Sequence, residues 1–202
     1  MKVLITCGPT WVALDDVRVI SNRSTGEMGH LIAEHFLKKK AQVTIIEGPV
    51  THPMVLVGVK RIKYCFFHEL AELLEKECRK NYDVIIHAAA ISDFMPKQAF
   101  KGKKSSESTW LLELLKTPKL INKIKEWSPK ALLVAFKLEL GMTKKNVKLI
   151  TRDLFVKSRA DLVVVNSNRG AYQGYVLAAN GEILLSAKSK KDIAKYLARI
   201  LS

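Results

Sequence analysis

Short apolar runs alternate along the chain with stretches in which apolar residues recur every three or four positions. Residues 2–7 and 42–46 form runs of the first kind, and residues 30–40 between them carry apolar side chains at helical spacing. Runs of this type predict strands, and the spacing between them predicts an amphipathic helix. The first 46 residues are therefore predicted to form a βαβ unit.

The same alternation continues to the end of the chain. Residues 84–90 are apolar apart from one histidine, which is typical of a strand buried on both faces in a parallel sheet covered by helices. Further strands are predicted at 61–66, 110–115, 131–137 and 161–166, helices at 69–80, 118–127, 144–157 and 190–201, and a hairpin at 175–179 and 182–186. The hairpin strands are joined by Asn180-Gly181, the dipeptide that type I′ turns favour.

These elements predict one domain, residues 1–202, of the doubly wound α/β class. We expect a mostly parallel, Rossmann-like three-layer sheet with an antiparallel hairpin extension. The chain has 202 residues, 48% of them hydrophobic, and no apolar run reaches the roughly 18 residues that would span a bilayer. The start passes directly into a strand without a signal-peptide pattern. We therefore expect a cytoplasmic protein without a membrane partner, whose three dispersed cysteines are reduced.

Charge is the one outlier in the composition. The chain carries 34 Lys and Arg against 19 Asp and Glu, a formal net charge of +15. Such a charge attracts polyanions, so a basic nucleic-acid-binding protein is one alternative. The basic residues are dispersed, however, and only residues 101–106 form a compact basic loop. Small phosphorylated substrates explain the sign equally well, and we expect no nucleic-acid partner.

The polar stretch from Asn22 to Gly29 lies between the first strand and the first helix. A strand, a polar loop and a helix N-terminus together form a typical cradle for an anion. The stretch lacks both the G-x-G-x-x-G of a dinucleotide-binding protein and the P-loop pattern. An NAD(P)-binding Rossmann-like protein is thus a second alternative, supported only by Glu47 at the end of the second strand. The simplest alternative is that Asn22 and Ser24 cap the helix.

Ligands of doubly wound sheets bind at the carboxyl ends of the strands. The segments that follow predicted strands there are residues 8–29, 87–93, 136–139 and 166–168, and the basic loop could fold over them. Cations from several directions, an amide and an aromatic ring suit a nucleoside triphosphate and a second anionic substrate. The histidines at positions 30, 35, 52 and 68 lie in surroundings typical of helix surfaces, and they receive no role.

The string from Asp16 to Gly29, DVRVISNRSTGEMG, closely resembles the signature D-P-V-R-x-I-[ST]-N-x-S-[ST]-G-x-M-G of the phosphopantothenate–cysteine ligases, also called phosphopantothenoylcysteine synthetases. Four further stretches follow in that family's order, at residues 88–93, 116–121, 135–139 and 160–166. Together the motifs span about four fifths of the chain. No flavin-dependent decarboxylase domain stands ahead of them, so the resemblance is to the stand-alone, monofunctional type.

The resemblance implies an acid–amino-acid ligase of coenzyme A biosynthesis. In this family 4′-phosphopantothenate reacts with CTP, usually in bacterial members, or with ATP in eukaryotic ones, to give an acyl-nucleotide and pyrophosphate. L-cysteine then displaces the nucleoside monophosphate. Mg²⁺ would bridge the phosphates. A homodimer is also implied, and the hairpin at 175–186 is a candidate for its interface. CTP is the triphosphate that we expect.

The resemblance also implies roles for individual residues. Asn22 would hold the carbonyl of the acyl-nucleotide, and Lys103 would be a mobile loop cation, with Lys101 or Lys104 as substitutes. Arg18, Asn22, Ser24 and Gly26 would bind phosphopantothenate. The implied nucleotide-binding residues are His87, Ala88, Ala89, Asp93, Pro118, Lys119, Leu120, Ile121, Phe136, Arg152 and Lys157. No residue is assigned as a metal ligand. Simpler roles stay open: a surface ion pair for Arg18, a solvated side chain for Lys103, and core packing for His87 and Phe136.

Overall fold

The computed structural model describes residues 1–167 and 169–202, and across these residues the chain forms twelve strands and five helices. The strands are β1 (Lys2–Cys7), β2 (Trp11–Ala13), β3 (Val19–Ser21), β4 (Gln42–Glu47), β5 (Lys60–Lys63), β6 (Val84–His87), β7 (Phe94–Pro96), β8 (Leu114–Lys116), β9 (Leu132–Leu138), β10 (Leu162–Ser167), β11 (Gln173–Ala178) and β12 (Ile183–Ala187). The helices are α1 (Glu27–Lys38), α2 (Phe67–Cys78), α3 (Ile121–Trp127), α4 (Val147–Ser158) and α5 (Lys190–Ile200).

Eight strands form one central sheet in the order β12-β11-β10-β9-β6-β1-β4-β5. Six neighbouring strands of this sheet are parallel to one another: β10, β9, β6, β1, β4 and β5. β11 and β12 extend it in antiparallel fashion beside β10. The chain leaves β1 toward β4 on one side and later returns to β6 on the other. The predicted doubly wound topology with a hairpin extension is therefore confirmed.

Two cores lie on opposite faces of this sheet, which makes the architecture three-layered. Alternate residues of β1 face opposite ways: Val3 and Ile5 pack with α1 and α5, whereas Leu4 packs with α2, α3 and α4. Each of these side chains has no exposed surface. Burial on both faces explains why the central strands are almost entirely apolar, since no position in them meets water.

Two small antiparallel sheets rise above the carboxyl ends of the large one. β2 pairs with β3, and β7 pairs with β8. Sequence patterns do not predict β2, β3 or β7, because each has only three residues and shows no periodicity. The strand predicted at 110–115 is confirmed only at its end: β8 covers Leu114–Lys116, residues 110–113 form no strand, and Leu111 is 89% exposed.

Other element boundaries also differ from the prediction. α1 begins at Glu27, three residues earlier than predicted. β5 ends at Lys63, also earlier than predicted, because the chain turns into α2 there: the Glu69 carboxylate accepts hydrogen bonds from the N–H groups of Cys65 and Phe66.

The predicted type I′ turn of the hairpin is wrong as well. Gly181 has φ +79°, but Asn180 has no positive φ, and the N–H of Gly181 donates to the carbonyl of Ala178. The strands are thus joined by a three-residue loop.

Across the described residues, no helix combines the length and apolar character needed to cross a membrane. The sequence segment at 166–168 extends past β10, and its last residue, Asn168, lies outside the described residues.

Candidate functional site

An open cleft of about 1340 Å³ lies at the point where the winding of the sheet reverses, between the carboxyl ends of β1 and β6. Loops that leave neighbouring strands in opposite directions separate here, which is why this fold forms a crevice at this position. Eleven of the residues proposed for the site line the cleft: Asn22, Ser24, His87, Ala89, Asp93, Pro118, Lys119, Leu120, Ile121, Phe136 and Lys157.

Asn22 connects the two sides of the cleft. Its amide nitrogen donates to the backbone carbonyls of Ala90 and Ile91, at 3.1 and 3.0 Å, across 68 and 69 residues of chain. The side chain is otherwise exposed. Both amide protons therefore hold the segment after β6, and the exposed side chain lines the cleft.

The helix-capping explanation for Asn22 is wrong. The N-cap of α1 is Gly26, which has φ +71°, and no side chain caps it. The Ser24 hydroxyl accepts from the N–H of Gly26 and the Thr25 hydroxyl from the N–H of Glu27, both at 3.4 Å. These are long contacts within a polar loop, so the N-terminus of α1 keeps weakly satisfied N–H groups near the cleft wall.

His87 ends β6 and is 6% exposed. Its Nδ1 lies 2.9 Å from the Thr6 hydroxyl of the adjacent strand. Burial disfavours the charged ring and lowers the pKa of His87 to about 4. The ring is therefore neutral at physiological pH.

The opposite wall carries charged pairs at its rim. Lys119 Nζ lies 2.5 Å from Asp93 Oδ1, and Lys157 Nζ lies 3.2 Å from Asp153 Oδ2. Thr117 fixes this wall, because its hydroxyl donates to the carbonyl of Ser92 at 2.6 Å and its N–H to that of Asp93 at 3.0 Å. Both ion pairs are exposed, so an incoming anion can displace the carboxylates at little cost.

Cations outnumber carboxylates along the cleft. Arg23, Lys119, Lys137 and Lys157 line it, against Asp93 and Asp153. The half-buried Phe136 adds an aromatic face. The sequence motifs assign no role to Arg23 or Thr6, and they give Lys137 only as the lysine beside the aromatic Phe136. Arg23 directly follows Asn22 in the signature, and Lys137 directly follows Phe136. Their position next to predicted site residues was the sequence feature that could have identified them.

The structure does not bring Arg18 into the cleft lining. Its guanidinium pairs with the fully shielded carboxylate of Asp15 at 2.6 Å, donates to the carbonyl of Lys104 at 2.5 Å, and lies 5.3 Å from the ring centre of Trp110. Burial raises the pKa of Asp15, but hydrogen bonds from Arg18 and from the N–H groups of Val17, Arg18 and Lys104 outweigh it and hold that pKa well below its usual range. Arg18 therefore links residues 15–18 to the basic loop through its hydrogen bond to Lys104.

The basic loop runs along residues 14–18. Phe100 donates to the carbonyl of Leu14 at 2.9 Å, Gly102 exchanges hydrogen bonds with Asp16, and the N–H of Lys104 donates to Asp15 at 3.1 Å. Lys101 and Lys103 are exposed and do not line the cleft, and Lys104 Nζ lies over the ring of Phe100.

Three further residues proposed for the site lie outside the lining. Gly26 is buried at the helix N-cap, where a Cβ would meet Val50 Cγ1 at 2.9 Å. The N–H of Ala88 donates to the carbonyl of Thr6 at 3.1 Å, which is a structural contact. Arg152 is exposed, one residue away from the face of α4 that turns Asp153 and Lys157 to the cleft.

A second polar cluster lies on the other side of β1. Glu47 pairs with His30 at 2.5 Å and with Arg61, and Cys7 completes a group of possible metal-ligating atoms. The helix-surface position expected for His30 is wrong, since it is 1% exposed. Arg61 already neutralises Glu47, and burial raises the pKa of Cys7 to about 12 and so keeps the thiol protonated. The same pairing leaves Glu47 no free access to a ribose, which removes the one feature favouring an NAD(P) site.

Fold and cleft together define the chain as a doubly wound α/β protein with a cationic cleft at its switch point. The family model described as "DNA/pantothenate metabolism flavoprotein C-terminal domain" matches residues 1–201. The chain belongs to this family.

Known relatives agree with this assignment. The coenzyme A biosynthesis bifunctional protein CoaBC of Thermococcus kodakarensis is 33% identical over 201 residues, which cover 97% of this chain and 49% of that protein. CoaBC of Borreliella burgdorferi is 33% identical over 214 residues, covering 99% and 52%. The chain thus spans about half the length of these curated relatives.

Solved structures show the same fold. The DNA/pantothenate metabolism flavoprotein from Streptococcus pneumoniae superposes with a TM-score of 0.89 at 27% identity, covering 100% of this chain and 98% of that one. The C-terminal domain of CoaBC gives a TM-score of 0.81 at 25% identity, covering 99% and 93%. A mutant of Cab2 in complex with phosphopantothenate-cysteine gives 0.80 at 17% identity, covering 99% and 84%, and shares the fold.

Proposed function

We propose that this protein is a phosphopantothenate–cysteine ligase of coenzyme A biosynthesis. The observation that carries the proposal is the cleft at the switch point, which unites the signature residue Asn22, the residues after β6 and four cations. Membership of the family agrees with it. The substrates would be 4′-phosphopantothenate, L-cysteine and a nucleoside triphosphate.

The chemistry needs charge neutralisation more than acid–base catalysis. A carboxylate oxygen of phosphopantothenate attacks the α-phosphorus, the bond to the β-phosphate oxygen breaks, and pyrophosphate leaves. The cysteine amine then attacks the acyl carbon, loses a proton, and releases the nucleoside monophosphate. Both steps hold anions together, so Arg23, Lys119, Lys137 and Lys157 would act mainly by bringing the reactants close and offsetting their charge.

Asn22 would bind the acyl-nucleotide through a small rearrangement. Its amide protons hold the carbonyls of Ala90 and Ile91 in the ligand-free cleft, so a substrate carbonyl would have to replace one of them. We predict that Asn22→Asp leaves pyrophosphate release largely intact but slows the cysteine step, because the carboxylate has no N–H to donate to the acyl carbonyl that the cysteine amine attacks. Unchanged overall turnover would remove Asn22 from the site.

Mg²⁺ suits the cleft as an ion held mostly by the triphosphate. Asp93 and Asp153 supply the carboxylates among the described cleft-lining residues, and Mg²⁺ typically takes one or two carboxylates together with phosphates and waters. When bound, it would neutralise phosphate charge. Lys103 stays our candidate for the mobile cation, since its side chain is exposed and forms no hydrogen bond or ion pair with the described residues.

We further propose a homodimer. Large apolar side chains on the small sheets are exposed: Val19 40%, Ile20 38%, Phe94 50%, Leu114 43% and Leu115 45%. The edge strand β12 of the hairpin, by contrast, is mostly half-buried. We therefore favour an interface on the small sheets over the hairpin. Light scattering of the wild type and of Phe94→Asp tests this, and an unchanged mass in the variant would contradict it.

A single assay tests the activity and the nucleotide. Pyrophosphate release is measured with CTP or ATP, with and without phosphopantothenate, and then with cysteine. We expect release only when phosphopantothenate is present, with CTP preferred, and formation of nucleoside monophosphate once cysteine is added. No release with either nucleotide would refute the ligase proposal. Salt-sensitive binding to DNA without this activity would favour the basic nucleic-acid-binding alternative.

A further inference from the structure

Thr6 and His87 are neighbours across two central strands. They are register partners in the parallel pair of β1 and β6, at the carboxyl ends where the cleft opens. Thr6 Oγ1 lies 2.9 Å from His87 Nδ1, and the N–H of Ala89 donates to the same hydroxyl oxygen at 3.3 Å. Thr6 is fully buried.

The position of the protons follows from these contacts. A hydroxyl carries one proton and can accept two hydrogen bonds, whereas a neutral imidazole carries its proton on only one nitrogen. If Nδ1 of His87 held the proton, the buried Thr6 hydroxyl would only accept, and its own proton would have no acceptor among the described residues. A buried polar hydrogen without a partner is strongly disfavoured. The Thr6 proton therefore points to Nδ1, and the ring proton lies on Nε2.

Nε2 is the part of His87 that a ligand can reach. His87 lines the cleft. The buried side-chain atoms that lack a partner in the described residues are Nδ1 of His30, Nε2 of His35 and the Tyr172 hydroxyl. Nε2 of His87 is not among them, and no protein acceptor is hydrogen-bonded to it in the described part of the chain. Nε2 of His87 is thus a solvent-accessible donor, and the Thr6 hydroxyl on Nδ1 fixes the orientation of its N–H bond.

We propose that Thr6 is a positioning residue for the site: its hydroxyl proton points to Nδ1 of His87, keeps the ring proton on Nε2, and so directs one uncharged N–H donor toward an oxygen or ring nitrogen of the nucleoside. The proposal rests on the proposed ligase function for the identity of the ligand. The surrounding lysines and Arg23 already provide for the phosphates. A neutral directed donor adds recognition of an uncharged acceptor without adding charge.

The tautomer is tested by NMR of protein labelled with ¹⁵N-histidine, because long-range couplings distinguish the protonated ring nitrogen. We expect His87 to be protonated at Nε2 at pH 7 in the wild type and in Thr6→Ser, which keeps the hydroxyl. Thr6→Val removes the hydroxyl with little change in volume, and we expect it to lose this tautomer preference. A ring protonated at Nδ1 in the wild type, or an unchanged tautomer in Thr6→Val, would overturn the proposal.

Ligand binding is tested with CTP and ATP by calorimetry. His87→Gln keeps an N–H donor near the position of Nε2, whereas His87→Asn keeps one only near Nδ1. We expect affinity within about threefold of wild type for His87→Gln and a loss of about tenfold for His87→Asn and Thr6→Val, the usual size for one hydrogen bond. If one variant fails to fold, the other comparison still tests the proposal: His87→Gln against His87→Asn tests the donor at Nε2, and Thr6→Val against Thr6→Ser tests the positioning hydroxyl.

The outcomes separate this proposal from the ligase function. Equal affinity of His87→Gln and His87→Asn would overturn the role of Nε2. Binding of CTP or ATP without pyrophosphate release would refute the ligase function alone. A wild type that binds neither nucleotide would refute both the function and the ligand of His87, while the NMR result would still decide the tautomer.

Discussion

Two buried histidines lie on opposite sides of the carboxyl end of β1, and they differ in what holds them. His30 pairs with Glu47, which also pairs with Arg61, and its other ring nitrogen has no partner in the described residues. His87 is held by the neutral Thr6 hydroxyl, and its other nitrogen is reached from the cleft. His30 is thus held by charged groups on the closed side of β1, whereas His87 is held by a neutral hydroxyl on the side that opens to the cleft.

This difference indicates how one strand serves two purposes. On the closed side, the buried Glu47 carboxylate requires a counterion. Glu47, His30 and Arg61 are paired with one another, so Glu47 is not available to a ligand. On the open side, a hydroxyl orients the ring and leaves one donor free. We therefore expect changes at the His30 side to act on stability, and changes at the His87 side to act on binding and pH dependence.

The largest effect is expected for Glu47→Ala. Removing the carboxylate leaves Arg61 and His30 without a counterion, and breaking a buried pair in this way typically costs about 3–5 kcal/mol. Unfolding in urea measures the loss. The matched control is Glu34→Ala, which breaks an exposed pair with Lys38 and is expected to cost less than about 1 kcal/mol. Equal losses in the two variants would contradict a structural role for the closed side.

Gly29→Ala tests how tightly the closed side is packed. A Cβ on Gly29 would lie 2.4 Å from the Cβ of Cys7, so α1 would have to move away from β1. We expect a loss of about 3 kcal/mol in unfolding free energy, the upper range for an overpacked core. Gly141→Ala is the control, because nothing lies within 4 Å of its Cβ position. A stable Gly29→Ala protein would show that the two elements can separate freely.

The pH dependence of stability distinguishes the open side. The folded pKa of His87 is lowered from 6.5 to about 4. Below pH 6.5 the unfolded chain therefore binds the proton that the folded protein refuses, and the stabilisation present above pH 6.5 is lost as the pH falls toward 4. From this shift we expect a loss of about 2 kcal/mol between pH 7 and pH 5. In His87→Gln this part of the slope should vanish, and an identical slope would mean that His87 titrates normally.

The smallest effect on stability is expected for Lys119→Ala. The Lys119–Asp93 pair is more than half exposed on both sides, so its loss should cost less than about 1 kcal/mol. Affinity for CTP should nevertheless fall by roughly fivefold, since the cleft loses one of its cations. Lys123→Ala is the control, because Lys123 forms an equally exposed pair with Glu126 outside the cleft. If both variants bind CTP equally, the cation at position 119 does not act on the ligand.

The sheet and the general location of the site could be predicted from the sequence. Strands buried on both faces are read directly from apolar runs such as residues 84–87, and the carboxyl-edge rule brings Asn22 and Asp93 to one cleft. For Arg18 the sequence left open both phosphopantothenate binding and an ion pair. It could not choose between them, because the partner Asp15 is only three residues away and competes with any ligand. The pairing of Thr6 with His87 could not be predicted either, because it depends on the register of two strands 81 residues apart.

The attachment of the basic loop to residues 14–18 also has a consequence for chain entropy. The connection from β7 to β8 is closed at its base by the hydrogen bond from Lys97 to Glu113 and fastened again at Gly102 and Lys104. These hydrogen bonds already order residues 97–104. Doubling the length of the part of the connection that follows Lys104 should therefore lower the free energy of unfolding by only about 0.6 kcal/mol. The stretch around Ser106 is therefore the place where this protein should accept an inserted peptide or label, with the cleft undisturbed.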